Sequence, residues 1–288
     1  MNAKKLLNLY GLKWNPFSPD LPVEALLATK RIENFAWRVE NLVQEGGFAL
    51  ISGEPGSGKS VALRIVAERL KGLRDVMIGI LARPQSLVGD FYRELGDVFQ
   101  VKITASNRWG GFKTLRERWR SHLEASLLRP VLLIDEAQEM AVEVLLELRL
   151  LSSINFDSSS FLTVVLCGDS RLPELFRHED LLPLGSRIRT RLVFDYASRE
   201  ELRELLEHSM AKAGNPKLMS EELLDTLVDH AAGNCRLLMI MAAELLMAGM
   251  SRDGAKLDEK LYLEVFQLES SRARGKFPQK LQRAEGKG

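Results

Sequence analysis

Eight consecutive residues restrict this chain more than any other passage. Gly53-Glu54-Pro55-Gly56-Ser57-Gly58-Lys59-Ser60 fits the pattern G-x-x-x-x-G-K-[ST]. Phe48, Ala49, Leu50 and Ile51 before it form an apolar run of strand character, and Val61 to Leu70 after it has helical spacing. A strand running into a glycine-rich loop and then a helix is the setting in which this pattern binds phosphate. The glycines let backbone N–H groups turn toward phosphate oxygens, and the helix N-terminus adds positive potential. Lys59 is placed to reach the outer phosphates and Ser60 to hold Mg²⁺. Gly53 to Val61 are therefore the expected nucleotide contacts, with ATP and Mg²⁺ as the expected ligands.

The pattern of apolar residues extends this unit. Apolar runs at 76–81, 131–134, 161–166 and 188–194 read as four more strands, separated by segments of helical spacing. Leu87, Phe91, Leu95 and Val98 mark one such helix face, and Phe112, Leu115, Trp119 and Leu123 another. Alternating strands and helices predict a parallel sheet covered on both faces. After Asp195 the strands stop. Ser198 with Glu201 three residues on forms a capping box, and Gly214-Asn215-Pro216 ends that helix. Further helices are expected near 221–232, 234–250 and 257–269. The predicted organisation is an N-terminal arm (1–30) rich in Pro and aromatics that packs on the main domain, an α/β domain (31–195), a small helical domain (196–270) and a basic tail (271–288). The tail carries six basic residues and one acid between Arg272 and Lys287, and its composition predicts disorder.

Val131-Leu132-Leu133-Ile134-Asp135-Glu136 delivers two carboxylates at the C-terminal end of a buried strand, where ligands of open α/β sheets collect. Asp135 is expected to hold Mg²⁺ and Glu136 to polarise the attacking water. The alternative is a strand that simply ends in two acids at the surface. Charge that develops as the γ-phosphoryl leaves needs a cation. Arg187, Arg189 and Arg191 lie just before and within the last predicted strand. Arg187 is the first candidate for a finger reaching a neighbouring subunit and Arg189 the second, against solvation or pairing with nearby acids. Arg236, at the start of a helix of the second domain, can report nucleotide state. Asp169, after the fourth strand, is either a polar sensor or a helix cap. The segment 102–113 reads as a loop. It carries Lys102, Thr104, Asn107, Arg108 and Lys113, types suited to phosphate-backbone contacts, although a solvated loop explains them too.

Composition narrows the class. Formal net charge is +1, so overall charge announces no nucleic-acid partner. Two cysteines, Cys167 and Cys235, give neither a disulfide framework nor a metal site, which fits a reducing cytoplasm. The most apolar long stretch, Leu237 to Met250, carries Glu244 and is too short to span a bilayer.

Taken together, these motifs resemble those of AAA+ ATPases, and among them the group of ExeA-type ATPases and of transposition regulators of the TniB, TnsC and MuB kind. Tyr-Gly-Leu-Lys-Trp-Asn-Pro-Phe near the N-terminus, the phosphate loop, Leu-Ile-Asp-Glu-Ala-Gln, the stretch from Leu148 into Val-Val-Leu-Cys-Gly-Asp, and Ala-Ala-Gly-Asn-Cys-Arg-Leu-Leu carry the likeness over residues 6–250. The resemblance implies a five-stranded P-loop α/β domain with flanking helices, followed by a small all-α lid. It implies Glu136 and Lys59 as catalytic residues, Arg187 or Arg189 acting in trans, and Arg236 as a second sensor. It also implies assembly into a ring or helical filament on double-stranded DNA, with a transposase and a target-selection protein as partners and disassembly on hydrolysis. The ExeA side of the group implies instead a secretion or envelope-assembly ATPase. The absence of a membrane segment and wall-binding module after the lid favours the DNA reading. Gln138 stands where many relatives have His, and Asp169 where many have Gln.

Overall fold

The computed structural model describes residues 2–81, 84–103, 108–154 and 159–274. In chain order the elements are α1 (Asn2–Tyr10), α2 (Lys30–Glu45), β1 (Gly47–Gly53), α3 (Lys59–Lys71), β2 (Val76–Leu81), α4 (Val88–Val98), α5 (Arg108–Ser126), β3 (Arg129–Ile134) and α6 (Val142–Ser152). There follow β4 (Ser153–Ile154), β5 (Ser159–Ser160), β6 (Thr163–Gly168), α7 (Arg171–Leu175), α8 (Leu182–Gly185) and β7 (Ile188–Phe194). Four helices follow among the described residues: α9 (Arg199–Ala213), α10 (Glu221–Ala231), α11 (Cys235–Ser251) and α12 (Glu259–Arg274). The chain divides into two compact units, Pro22–Ala197 and a second made of Met1–Leu21 with Ser198–Gly288.

The first unit is the expected five-stranded sheet, in the order β2-β3-β6-β1-β7 with every pairing parallel. Central strands buried on both faces favour apolar residues at successive positions, which is why 48–51 in β1, 131–134 in β3 and 164–167 in β6 read as apolar runs. Their side chains alternate between two cores. Phe48, Leu50, Leu132, Ile134, Val164 and Leu166 join Phe91, Leu95, Leu115, Trp119 and Leu148 from α4, α5 and α6. Ala49, Ile51, Val131, Leu133, Val165 and Cys167 join Phe35, Val39, Ala62 and Val66 from α2 and α3. The edge strand β7 keeps one polar face, with Arg189, Arg191 and Val193 exposed and Ile188, Thr190 and Leu192 buried.

Glycine is required where β1 ends. A Cβ on Gly53 would lie 2.1 Å from the Phe194 carbonyl oxygen, and its φ of +153° already disfavours a side chain. The approach of β1 to β7 and the turn into the phosphate loop both depend on that missing atom.

In the second unit the capping box on α9 is present, with Ser198 and Glu201 each bonding the other's backbone N–H. Leu238, Met241, Ala242, Leu245 and Leu246 line the buried face of α11.

Four expectations need correction. The N-terminal arm is not one piece on the main domain. Residues 2–21 group with the helical unit, where Lys13 N–H donates to Ala213 O (2.8 Å), Asn215 Nδ2 to Tyr10 O (2.8 Å) and the Tyr10 hydroxyl to Ala255 O (3.0 Å). The segment 102–113 is not all loop, because α5 begins at Arg108. Two glycines in its first turn, Gly110 and Gly111, hid the helix from the sequence pattern. The helix after β3 does not run to Ile154. It stops at Ser152, and Ser153–Ile154 pairs antiparallel with Ser159–Ser160. Finally, α12 continues through Arg274, four residues into the expected tail, whose remainder lies outside the described residues.

Candidate functional site

The phosphate loop follows directly from β1. Gly56 (φ +83°) and Gly58 (φ +101°) hold left-handed backbone, which turns the loop back on itself. Gly58 caps α3 and supplies no side-chain bond, and the first turn of α3 contains no acid. The first N–H groups of this thirteen-residue helix are thus left for an external acceptor. Lys59 is only 9% exposed, and its Nζ donates to the Glu54 carbonyl (2.8 Å), so the ammonium sits inside the ring made by its own loop. The Ser57 hydroxyl is buried with no hydrogen-bond partner among the described residues. An orphaned donor beside free amides and an ammonium fits a ligand rich in anionic oxygens.

The sheet brings the second motif alongside. β6 lies between β1 and β3, pairing Ile51 with Cys167, Ser52 with Gly168 and Ile134 with Leu166. The C-terminal ends of all three strands therefore open on one crevice, the usual ligand position of such sheets. Cys167 reports the arrangement. Burial raises its thiol pKa first, and the Asp135 carboxylate, which shares a hydrogen bond with the thiol, and Glu136 raise it further, while Lys59 lowers it. One sulfur thus feels the phosphate-loop lysine and both acids of the second motif.

Asp135 accepts the Glu136 N–H (2.9 Å), and Glu136 is left-handed at φ +52° and ψ +38°. A non-glycine residue in that region is uncommon and marks a constrained position. Among the described residues no group of three His, Cys, Asp or Glu side chains could hold a metal ion alone. Mg²⁺ keeps several waters and binds through one or two protein oxygens together with substrate phosphates. Asp135 and the exposed Ser60 hydroxyl are the donors at hand.

The other expected residues fall in different places. Asp169 reaches the crevice end of β6, but its carboxylate accepts from Arg171 N (2.9 Å) and Arg171 Nε (2.8 Å). Burial alone would raise its pKa, and those two bonds with the Arg171 charge outweigh it and leave the carboxyl below its ordinary value. It serves as a turn-forming acid tied to Arg171, which also bonds Glu139 (2.8 Å). Arg187 and Arg189 lie at the other end of the sheet. Ile188 pairs with Phe48 and Phe194 with Gly53, so these arginines sit about 17 Å along the strand from the phosphate loop. Arg187 donates to Pro183 O (2.6 Å), and Arg189 pairs with Glu45. Neither is at the nucleotide crevice of its own chain. Arg236 is exposed in the first turn of α11, in the helical unit, where Asn234 caps the helix by accepting Leu237 N–H (3.0 Å). A cation there opposes the helix dipole, so local stability does not account for it.

The expected nucleic-acid contacts are dispersed. Thr104 and Asn107 lie outside the described residues, and Lys102 is exposed. Lys113 is on α5 and faces Glu117 (3.8 Å). Arg108 has a partner within the fold: its guanidinium pairs with Glu147 on α6, whose side chain is 4% exposed, and Glu147 also accepts the Tyr92 hydroxyl (2.5 Å). A buried carboxylate needs that cation, and the sequence spacing of 39 residues gave no sign of it. Two features went unread in the sequence. Trp109, 72% exposed, stacks on Phe112, and Arg116 lies over both Phe112 and Phe161. Gln138 bonds Glu136 directly (2.6 Å). Its signal was its place two residues after the acid.

Comparison with known proteins agrees with this geometry. Residues 42–176 match the family described as AAA domain. General secretion pathway protein A of Aeromonas hydrophila is 29% identical over 254 residues, which cover 86% of this chain and 45% of that protein. The chain thus spans less than half the length of the curated relative it matches. Among solved structures, Cdc6p from Pyrobaculum aerophilum aligns with a TM-score of 0.66 at 16% identity, over 84% of this chain and 67% of that one. Drosophila ORC bound to DNA aligns at 0.65 and 18% identity, over 96% and 69%. The RuvB Holliday junction branch migration motor of Thermotoga maritima aligns at 0.52 and 14% identity, over 88% and 73%. These likenesses show the fold. Residues 42–176 match the AAA domain family, and both nucleotide motifs are complete on this fold.

Proposed function

We propose that this protein is an ATP-driven assembly switch of the secretion or envelope-assembly type, in which Mg²⁺-dependent hydrolysis resets an association between copies of the chain. The observation that carries the ATPase chemistry is the register of the sheet, which sets the phosphate loop after β1 and Asp135 and Glu136 after β3 at the same end, on either side of β6. The loop amides, Lys59 and the Ser57 hydroxyl bind the phosphate oxygens of ATP. Asp135 and Ser60 would hold Mg²⁺, which neutralises charge on those oxygens. Glu136 orients the attacking water and takes its proton. The finger is supplied by a neighbouring copy, with Arg187 ahead of Arg189, so nucleotide occupancy and assembly are coupled. Arg236, in the first turn of α11, takes the role of second sensor that the family resemblance gives it.

The likeness to General secretion pathway protein A, extending over most of this chain, supports the envelope reading over the DNA reading that the sequence favoured. The sequence reading favoured DNA on the ground of where the chain stops. The alignment covers under half of that relative, so where this chain stops carries no weight. The second reading is a regulator that assembles on double-stranded DNA and recruits a transposase. Its support is the fold shared with Drosophila ORC bound to DNA and the cationic helix α5, with Trp109 exposed at its start.

One experiment separates them. Glu136→Gln should keep ATP affinity, slow hydrolysis by about 10²- to 10⁴-fold, and trap the assembled state. Sedimentation of that variant with ATP, with and without duplex DNA, reports the class. Assembly with ATP alone supports the envelope reading. Assembly that needs duplex DNA, and weakens steeply with salt, supports the DNA reading. A monomer under both conditions refutes the switch.

A further inference from the structure

We infer that Gln138 is a positioning residue for Glu136, clamping its carboxylate to the end of β6; this rests on the reading of Glu136 as the hydrolytic acid. The Gln138 Oε1 accepts the backbone N–H of Asp169 (3.1 Å), and its Nε2 donates to Glu136 Oε2 (2.6 Å). A side-chain amide has one accepting and one donating end, and a backbone N–H can only donate. The Asp169 amide therefore fixes Oε1 toward β6 and forces the NH₂ toward Glu136. The carboxylate is held through one oxygen, and its other oxygen stays free to accept from water.

The backbone is built for this contact. Glu136 is left-handed, and Glu139 N–H closes a tight turn on the Glu136 carbonyl (2.9 Å). That turn folds residue 138 back over residue 136. Room for the amide comes from Gly168, the last residue of β6. A Cβ there would sit 2.5 Å from Gln138 Oε1 and 2.8 Å from a methyl of Leu172. Arg171 does not engage Glu136, because its guanidinium donates to Asp169 and Glu139. Glu136 is exposed, on a side chain with three rotatable bonds, so without the clamp it samples many orientations. A carboxylate that must align a water loses rate steeply when misplaced by about 1 Å, by roughly 10²-fold.

The test compares Gln138→Glu, Gln138→His, Gly168→Ala and Glu136→Gln with the wild type, measuring steady-state ATP hydrolysis, binding of a fluorescent ATP analogue and the thermal midpoint. Gln138→Glu is isosteric but replaces the donor with a second carboxylate, and should lower kcat by about 10- to 100-fold with KM and analogue affinity within about threefold. Gly168→Ala, which displaces the amide from the opposite side, should do the same. Histidine keeps one donor and one acceptor, so Gln138→His should retain kcat within about threefold of wild type. Wild-type kcat in folded Gln138→Glu and Gly168→Ala, with Glu136→Gln inactive, overturns the clamp alone. Parallel loss of kcat and analogue affinity also overturns it, because a merely structural role does that. If Glu136→Gln itself hydrolyses at the wild-type rate, the assignment of Glu136 falls and the clamp with it.

Discussion

Replacing Arg108 with alanine should destabilise the α/β unit, whatever it does to nucleic-acid binding. The Glu147 side chain is 4% exposed and bonds the Arg108 guanidinium and the Tyr92 hydroxyl. Breaking a fully buried ion pair costs about 3–5 kcal/mol, because it strands a charge. An exposed pair contributes about 0–1 kcal/mol. Arg108 is itself 65% exposed, so water reaches the cation and part of its field is screened. The pair falls between the limits, and Arg108→Ala should cost about 2 kcal/mol. At roughly 2–4 °C per kcal/mol for a unit of this size, the thermal midpoint should drop by about 4–8 °C. The assay is urea and thermal unfolding of wild type, Arg108→Ala, Glu147→Gln and the double variant. Neutralising Glu147 removes the stranded charge, so Arg108→Ala in the Glu147→Gln background should cost under about 1 kcal/mol. Additive costs, or an unchanged midpoint in Arg108→Ala, would refute the structural role and return Arg108 to the candidate phosphate contacts.

The geometry sets three further outcomes. Gly53→Ala should lower stability by several kcal/mol and abolish nucleotide binding, since its Cβ meets the Phe194 carbonyl oxygen; a folded, ATP-binding Gly53→Ala protein in calorimetry would contradict the tight turn from β1 into the loop. Mixtures of Arg187→Ala with Lys59→Ala subunits should recover part of the turnover that each lacks alone, because one donates the finger and the other the pocket; no recovery at any ratio of the two removes the trans role. The Tyr92 phenol is pushed up to about 12, chiefly by burial, with Arg108 pulling the other way. Its unfolded value is about 10, so its contribution to stability is whole below that and is lost as the pH rises toward 12. Unfolding curves across pH 9 to 11.5 should therefore fall less steeply for Tyr92→Phe than for wild type.

Much of this protein was legible in one dimension because its signals are local. β1, β3 and β6 are buried on both sides, so each reads as an apolar run whatever its neighbours. The phosphate loop is a backbone requirement written as three glycines and a lysine, and Asp135 and Glu136 follow their strand without a gap. The capping box at Ser198 is a four-residue device. None of these needs a partner from far along the chain.

What tertiary structure alone decided are the pairings between distant residues. Arg108 looked like a surface cation until α6 delivered the buried Glu147 to it, and Gly110 and Gly111 weakened the pattern of the helix they share. Asp169 could have faced the nucleotide, but Arg171 engages its carboxylate. Arg187 and Arg189 sit near the last strand in sequence, yet the register of β7 on β1 puts them at the far end from the phosphates. Gln138 looked like a departure from its relatives until β6 placed the Asp169 amide against it. Backbone geometry and burial are encoded in short runs of residue types, whereas the partner of a polar side chain is set by which strands and helices the fold brings together.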